Sequence, residues 1–256
     1  MNIGDWAAAL TLVLPWMLGG WLLSVANRNV AIVDVLWGPA IALAGLAWLL
    51  AVEPPSLRGQ MAVGLAGLWA LRLAMHVLVR GRGKPEDRRY REIRARNEPG
   101  FWWKSAFYVF ALQALLACLV ALPLYGATRS DNDLTLLDGI GVALFAAGFL
   151  FEAVADWQLL RFQRAGDAER GVMDRGLWRY SRHPNYFGES LLWWGLGLIA
   201  AAGGAWWTLA GPALLTFLLL RVSGVALTER DIATRRPDYQ AYLRRTSAFL
   251  PRPPRN

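Results

Sequence analysis

The feature that most constrains this chain is the recurrence of apolar stretches about as long as a bilayer-crossing helix, each separated from the next by a short polar break. A hydrocarbon core about 30 Å thick takes about 20 apolar residues per helix. Lipid offers no partners to backbone N–H and C=O groups, so such stretches fold as helices. The pattern predicts spans near Trp6–Ala26, Val30–Val52, Met61–Val79, Ser105–Tyr125, Leu136–Leu160, Tyr186–Ala202 and Trp206–Leu227. The fold class expected is therefore all-α, a polytopic membrane bundle of about seven transmembrane helices. Composition agrees, since 55% of the 256 residues are hydrophobic. The first stretch runs into Asn27-Arg28-Asn29 and then into further spans, which predicts a retained helix rather than a cleaved leader. A single membrane domain is expected over residues 1–256.

Charge placement sets the expected orientation. The net charge is +8, and Lys and Arg gather in Arg80–Lys104, Arg161–Arg182 and Arg230–Arg255. With seven spans these segments share one face with the Asn27–Asn29 turn, while the opposite loops carry little beyond Arg58 and Arg129. Basic loops stay on the cytoplasmic side, so the N-terminus is expected outside and the C-terminus in the cytoplasm. The same face suits an anionic cofactor or lipid headgroups. No nucleic-acid-binding module is visible, and nucleic acid is not expected as a partner. The pairs Trp102-Trp103, Trp193-Trp194 and Trp206-Trp207 lie near span ends, where an interfacial aromatic belt belongs.

Several chemistries are excluded. The lone Cys118 allows neither an intramolecular disulfide nor a cysteine metal cluster. There is no P-loop, His-Glu-x-x-His, Cys-x-x-Cys or Gly-x-Ser-x-Gly. No Rossmann fingerprint is present, so any nucleotide must be held by membrane helices and their loops. His76 and His183 are too few for a histidine-rich di-metal centre, and no metal is expected.

Ionisable residues inside apolar helices are costly, so they mark candidate sites. Asp34 lies among Val, Ile and Leu early in the second span, with Trp37 on the same face. Such a carboxyl is expected to stay protonated and to donate a hydrogen bond to a carbonyl; the alternatives are a packing contact or a capping carboxylate. Arg72 and His76 are one turn apart on the third span, which leads into the basic, glycine-containing loop from Arg80 to Arg91. That loop suits phosphate, or is simply a basic loop beside the membrane. Glu152 and Asp156, one turn apart, either bind a polar ligand or pair internally with Arg72 or Arg221. The densest segment is Gly171–Glu189, where Pro184 suits the first turn of a helix carrying Asn185 and Glu189 one turn apart. A helix start with neighbouring arginines is a natural anion site. The tail from Glu229 to Pro251 predicts a short amphipathic helix and an extended end, folded back under the bundle.

The run Arg182-His-Pro-Asn-Tyr-Phe-Gly-Glu189, the preceding Gly176-Leu-Trp-Arg-Tyr180, the segment from Asp156 to Arg161 and the tail from Tyr242 to Phe249-Leu-Pro251 resemble the steroid 5α-reductase superfamily. The chain is most similar to its bacterial branch of small seven-span proteins. The resemblance is strong over Leu136–Pro251 and weaker over Asn29–Tyr90. It implies an NADPH-dependent reductase of an activated carbon–carbon double bond, typically of a 3-oxo-Δ4 steroid, in a bacterial inner membrane. It further implies residues 1–125 as the substrate-cavity half and 126–256 as the cofactor half, acting as a monomer on a lipophilic substrate. Asp34 falls where relatives place a catalytic acid. Arg72, Glu152, Asp156, Arg161, Arg164, Arg170, Tyr180, Arg182, His183, Asn185, Glu189, Glu229 and Tyr239 fall at cofactor positions, and Trp37, Trp69 and His76 line the substrate. Where the family has a third-span tyrosine, this chain has Trp69.

The mechanism implied is hydride transfer to the β-carbon of an enone whose carbonyl is held by protonated Asp34, with protonation of the α-carbon by water or a side chain. Two alternatives stand beside it. Isoprenylcysteine and phospholipid methyltransferases share a related Arg-His-Pro-x-Tyr pattern, which allows an S-adenosylmethionine-dependent enzyme. A lipid-binding scaffold is the non-enzymatic reading, and it leaves the Glu152/Asp156 and Asn185/Glu189 pairs without a purpose.

Overall fold

The computed structural model describes residues 1–165, 171–222, 224–225 and 238–255. Among the described residues every regular element is helical. Helix α1, Ile3–Ala26, starts with a reciprocal capping box: the Asp5 N–H donates to the Asn2 Oδ1 at 3.0 Å and the Asn2 N–H to the Asp5 Oδ2 at 2.7 Å. Asn29 accepts from the Ala31 N–H and starts a tight turn, Val30–Ile32, that runs into α2, Val33–Leu50. Ser56 caps α3, Leu57–Gly81, and the side chain of Asp87 caps α4, Arg88–Asn97. Gly100, at φ +88°, turns the chain into α5, Phe101–Ser105, a conformation that costs glycine nothing. A widened stretch, Ala106–Ala111, joins α5 to α6, Leu112–Val120. The remaining helices are α7, Leu122–Thr128, α8, Leu136–Arg164, α9, Pro184–Ala202, α10, Ala210–Phe217, and α11, Asp238–Arg245.

Five described helical stretches are long and apolar enough to cross a membrane: Ile3–Ala26, Val30–Leu50, Leu57–Gly81, Phe101–Val120 and Leu136–Arg164. The chain is a multi-pass membrane protein. Of the other two spans read from the sequence, Tyr186–Ala202 falls on a less apolar helix and Trp206–Leu227 lies partly outside the described residues. Helix α9 carries Asn185 and Glu189 near its start, and the described part of the last span, Trp206–Val222, is helical and apolar.

The chain forms two compact units, Met1–Thr135 with Ile199–Gly211, and Leu136–Leu198 with Pro212–Asn256. In the first, α2 packs against α1, α3, α6 and α7. Trp48 and Trp69 are fully buried there, whereas Leu18, Leu22, Leu71 and Met75 lie on the outer surface, where hydrocarbon replaces water. Polar groups in this unit are tied to one another. The Trp48 indole donates to the Asp5 carbonyl at 2.7 Å, and the Tyr125 hydroxyl and Arg129 guanidinium both donate to the Asp5 carboxylate. Arg58, only 1% exposed, donates to the Ser130 hydroxyl and to the carbonyls of Asn132 at 3.0 Å and Asp133 at 2.7 Å. A guanidinium with oxygens on several sides can be buried where a bare charge cannot.

In the second unit the α8–α9 contact is made through glycine. A Cβ on Gly148 would lie 2.5 Å from the Leu192 nitrogen, one on Gly188 2.5 Å from the Glu152 nitrogen, and one on Gly195 2.6 Å from the Gly141 carbonyl oxygen. Helices in lipid gain little from burying apolar surface, so such backbone-to-backbone packing is what holds a pair together. Across the other side of α9, Ser190 and Trp194 both bond the Thr216 hydroxyl, at 2.7 and 3.2 Å. Gly188→Ala or Gly148→Ala is expected to lower the stability of the purified protein by about 1–3 kcal/mol through overpacking. Gly139→Ala, whose added Cβ meets nothing within 4 Å, is expected to leave it unchanged. Thermal unfolding followed by size-exclusion chromatography checks both.

Candidate functional site

In the first unit the capped start of α4 brings Arg89 and Tyr90 to Asp34 at the start of α2. The Tyr90 hydroxyl donates to the Asp34 Oδ1 at 2.5 Å, and the Arg89 guanidinium donates to the Asp34 Oδ2 at 2.8 Å. Arg89 reaches the Asp87 carboxylate as well, at 3.0 Å. Burial opposes the charge on Asp87, but the adjacent Arg89 overrides it and holds that carboxyl below the usual carboxylate range. Tyr90 is 6% exposed. Burial, reinforced by the Asp34 carboxylate, pushes its hydroxyl well above the ordinary phenol range, so it remains a donor.

This arrangement corrects the sequence reading of Asp34. Its carboxyl is not set among aliphatic side chains alone as a hydrogen donor; both oxygens accept, one from a cation and one from a phenol. The reason is tertiary: the two donors come from a helix more than fifty positions further on, |i−j| = 55 and 56. Trp37 is half-buried on α2, while Trp69, Arg72 and His76 follow one stripe of α3, Trp69 fully buried and the other two half-buried.

In the second unit, Glu152, Asp156, His183 and Glu189 are all buried. The Asn185 side-chain amide donates to the Asp156 carboxylate at 3.1 Å, joining α8 to the first turn of α9. The Asn185 Oδ1 is itself buried, with no hydrogen-bond partner among the described residues. An amide in that position can take both a donor and an acceptor of a bound carboxamide. The His183 ring stacks on Tyr186 with centroids 5.3 Å apart. The segment before α9 is wired back to α8: the Trp178 indole donates to the Ala155 carbonyl at 3.0 Å and the Leu177 N–H to the Gln158 side chain at 3.0 Å.

Arg182, expected at a cofactor position, ties the tail to the start of α9. Its guanidinium donates to the Leu243 and Thr246 carbonyls at the end of α11, and its N–H donates to the Ser247 carbonyl at 2.9 Å. The Tyr242 hydroxyl donates to the Trp178 and Ser181 carbonyls, and the Ser181 hydroxyl to the Phe249 carbonyl at 2.8 Å. The tail therefore folds back onto the segment that precedes α9. Tyr239 is buried and packs edge-on against Tyr242. Arg161, over the Trp157 ring at 5.6 Å, and Arg164 and Tyr180 are exposed, which leaves the two arginines open to an anion. Arg170 and Glu229 lie outside the described residues.

Sequence reasoning gave neither Tyr90 nor Tyr242 a role of its own, although Tyr242 stands in the tail motif. The signal for Tyr90 was Asp87 as a helix cap, which makes Arg88–Asn97 a helix and places one aromatic residue on its otherwise charged surface. For Tyr242 it was an apolar stripe on the tail helix, a pattern equally consistent with membrane anchoring.

A family model described as a protein of unknown function, DUF1295, matches residues 20–246. The chain belongs to that family. It is 29% identical to an uncharacterized protein of Schizosaccharomyces pombe over 94% of this chain and 78% of that protein. It is 33% identical to 3-oxo-5-alpha-steroid 4-dehydrogenase 1 of Macaca fascicularis over 34% of this chain and 31% of the enzyme. No solved structure matches the chain.

Because the tail is held by side-chain donors to main-chain carbonyls, Tyr242→Phe is expected to leave buried carbonyls unsatisfied at a cost of about 1–3 kcal/mol. Limited proteolysis, showing faster cleavage near the C-terminus of the variant, checks this.

Proposed function

We propose that this DUF1295 chain is an NADPH-dependent reductase of the activated double bond of a lipophilic enone, a 3-oxo-Δ4 steroid or a molecule of similar shape. The observation that carries the reading is the buried Tyr90 phenol paired with Asp34 and Arg89. The partial similarity to a steroid dehydrogenase supports it. In this reading the protein works in the inner membrane of a bacterium as a monomer, with its N-terminus outside and its C-terminus in the cytoplasm.

The donor set of the second unit suits a nicotinamide nucleotide. Asn185, with its unpartnered Oδ1, would hold the carboxamide, while Asp156, Glu152 and Glu189 offer acceptors for ribose hydroxyls. The exposed Arg161 and Arg164 would meet the phosphates. Bound NADPH would supply a hydride and leave as NADP⁺.

The chain's own task is to stabilise the negative charge that develops on the enone oxygen. Tyr90, kept protonated by burial, swings its hydroxyl from Asp34 to the substrate carbonyl and donates there. Asp34, gripped by Arg89, holds the phenol in place until the carbonyl takes its hydrogen bond. Tyr90, rather than Asp34, is thus the electrophilic donor. The α-carbon takes its proton from water, completing the addition of a hydride and a proton across the double bond. Trp37, Trp69 and His76 line the substrate side.

Binding and turnover test this on the detergent-purified protein. NADPH is expected to bind, and binding to weaken at least tenfold in Asn185→Ala and Glu189→Ala, with no binding of S-adenosylmethionine. Preference for S-adenosylmethionine would replace the reductase with a methyltransferase. Tyr90→Phe and Asp34→Asn are expected to lower enone turnover by about 10²–10³, the range for one oxyanion donor, while NADPH affinity stays unchanged. Full turnover in Tyr90→Phe would remove the phenol from the mechanism.

A further inference from the structure

The Asp34–Tyr90 contact joins two helices, and neither helix alone holds them at bonding distance. Four positions before Asp34 and four after Tyr90, a second bridge crosses the same gap. The Glu86 Oε1 accepts from the Val30 N–H at 2.7 Å, at the turn that begins α2. The same carboxylate takes the Arg94 guanidinium in two bonds, at 2.9 and 3.1 Å. Val30 lies one helical turn before Asp34, and Arg94 one turn after Tyr90. The two bridges are therefore neighbouring rungs, one between α2 and α4 and one between the residues that lead into them.

The clamp is well made. The Glu86 side chain is 9% exposed and that of Arg94 29%, so the pair is shielded from water compared with the open Arg88–Glu92 pair on the same helix, at 46% and 47%. Arg94 stacks over the Phe101 ring at 4.8 Å and also donates to the Arg28 carbonyl at 3.3 Å. It thereby ties α4 to the residues on both sides of the bridge. A forked guanidinium on a carboxylate that also accepts a backbone N–H fixes direction as well as distance.

We propose that Glu86, through its paired bonds to Val30 and Arg94, is a positioning residue that sets the Tyr90 hydroxyl on Asp34. The inference rests on Tyr90 as the hydrogen donor of the reading above. Glu86 touches neither Tyr90 nor Asp34 in the bonds described; it acts on them by holding α4 one turn away. The groups that face the phenol are Asp34 from α2, Arg89 from its own helix and the Gln113 side chain from α6. Releasing the clamp lets the phenol leave that group and meet water.

Two measurements test this. The first needs no substrate: 3-fluorotyrosine is placed at position 90 of the full-length purified protein and its fluorine resonance is followed against pH. Glu86→Gln keeps an acceptor for Val30 but loses the charge that grips Arg94, and Arg94→Lys loses the fork. Both are expected to lower the titration midpoint of residue 90 by about one pH unit or more, as burial and the carboxylate contact are lost. A midpoint unchanged in both variants overturns the proposal. The second follows enone reduction. Glu86→Gln is expected to lower kcat about tenfold or more with NADPH affinity unchanged, and to cost nothing further in a Tyr90→Phe background. An equal loss in both backgrounds means that Glu86 acts on the fold at large and overturns its positioning role. Absence of any enone reduction by the unsubstituted protein removes the reductase reading alone, and the fluorine titration then decides the clamp.

Discussion

Hydrocarbon does not solvate polar groups, and the structure is organised by that refusal. A buried donor or acceptor left without a partner costs several kcal/mol in such a medium. Asn2 and Asp5 close the open start of α1 on each other, Arg58 is wrapped in oxygens, and Thr216 takes bonds from two side chains of α9. The same refusal shapes the packing. Lipid tails are as apolar as leucine, so helices in it adhere through close backbone approach, and the glycines of α8 and α9 supply the approach.

The site in the first unit shows how an ionisable residue is accommodated at such a boundary. Asp34 stands in the first turn of α2, where an anion is favoured by the helix dipole, and its two donors return from the polar connection between α3 and α5. With side chains 37% and 25% exposed, the Arg89–Asp34 pair is partly hydrated, so it contributes less than a fully buried pair would. Its value lies in direction. With one carboxylate oxygen committed to the cation, the other is left to the phenol.

In the second unit the basic stretch Arg161–Arg182 divides its work. Arg182 is consumed in holding the tail, and a guanidinium that already donates to main-chain carbonyls has less to offer a phosphate. Arg161 and Arg164 remain exposed. The motif around His183 therefore serves the fold through Ser181, Arg182 and Trp178, and joins α8 to the first turn of α9 through Asn185.

Much of this was written in the sequence. Apolar runs of bilayer length determine a membrane helix bundle, because their partition into lipid depends on composition and not on neighbours. Caps such as Ser56 and Asp87 and the proline that begins α9 are equally local, since each acts within its own first turn. The spacing of Glu152, Asp156, Asn185 and Glu189 marked them as a polar group in an apolar setting. Tertiary structure alone decided the partners. That Asp34 accepts from Arg89 and Tyr90, that Glu86 bridges Val30 and Arg94, and that Arg182 holds the tail depend on contacts between residues 8 to 64 positions apart. No periodicity encodes such pairings, because a charge in a sequence carries no record of which opposite charge the folded chain will bring to it.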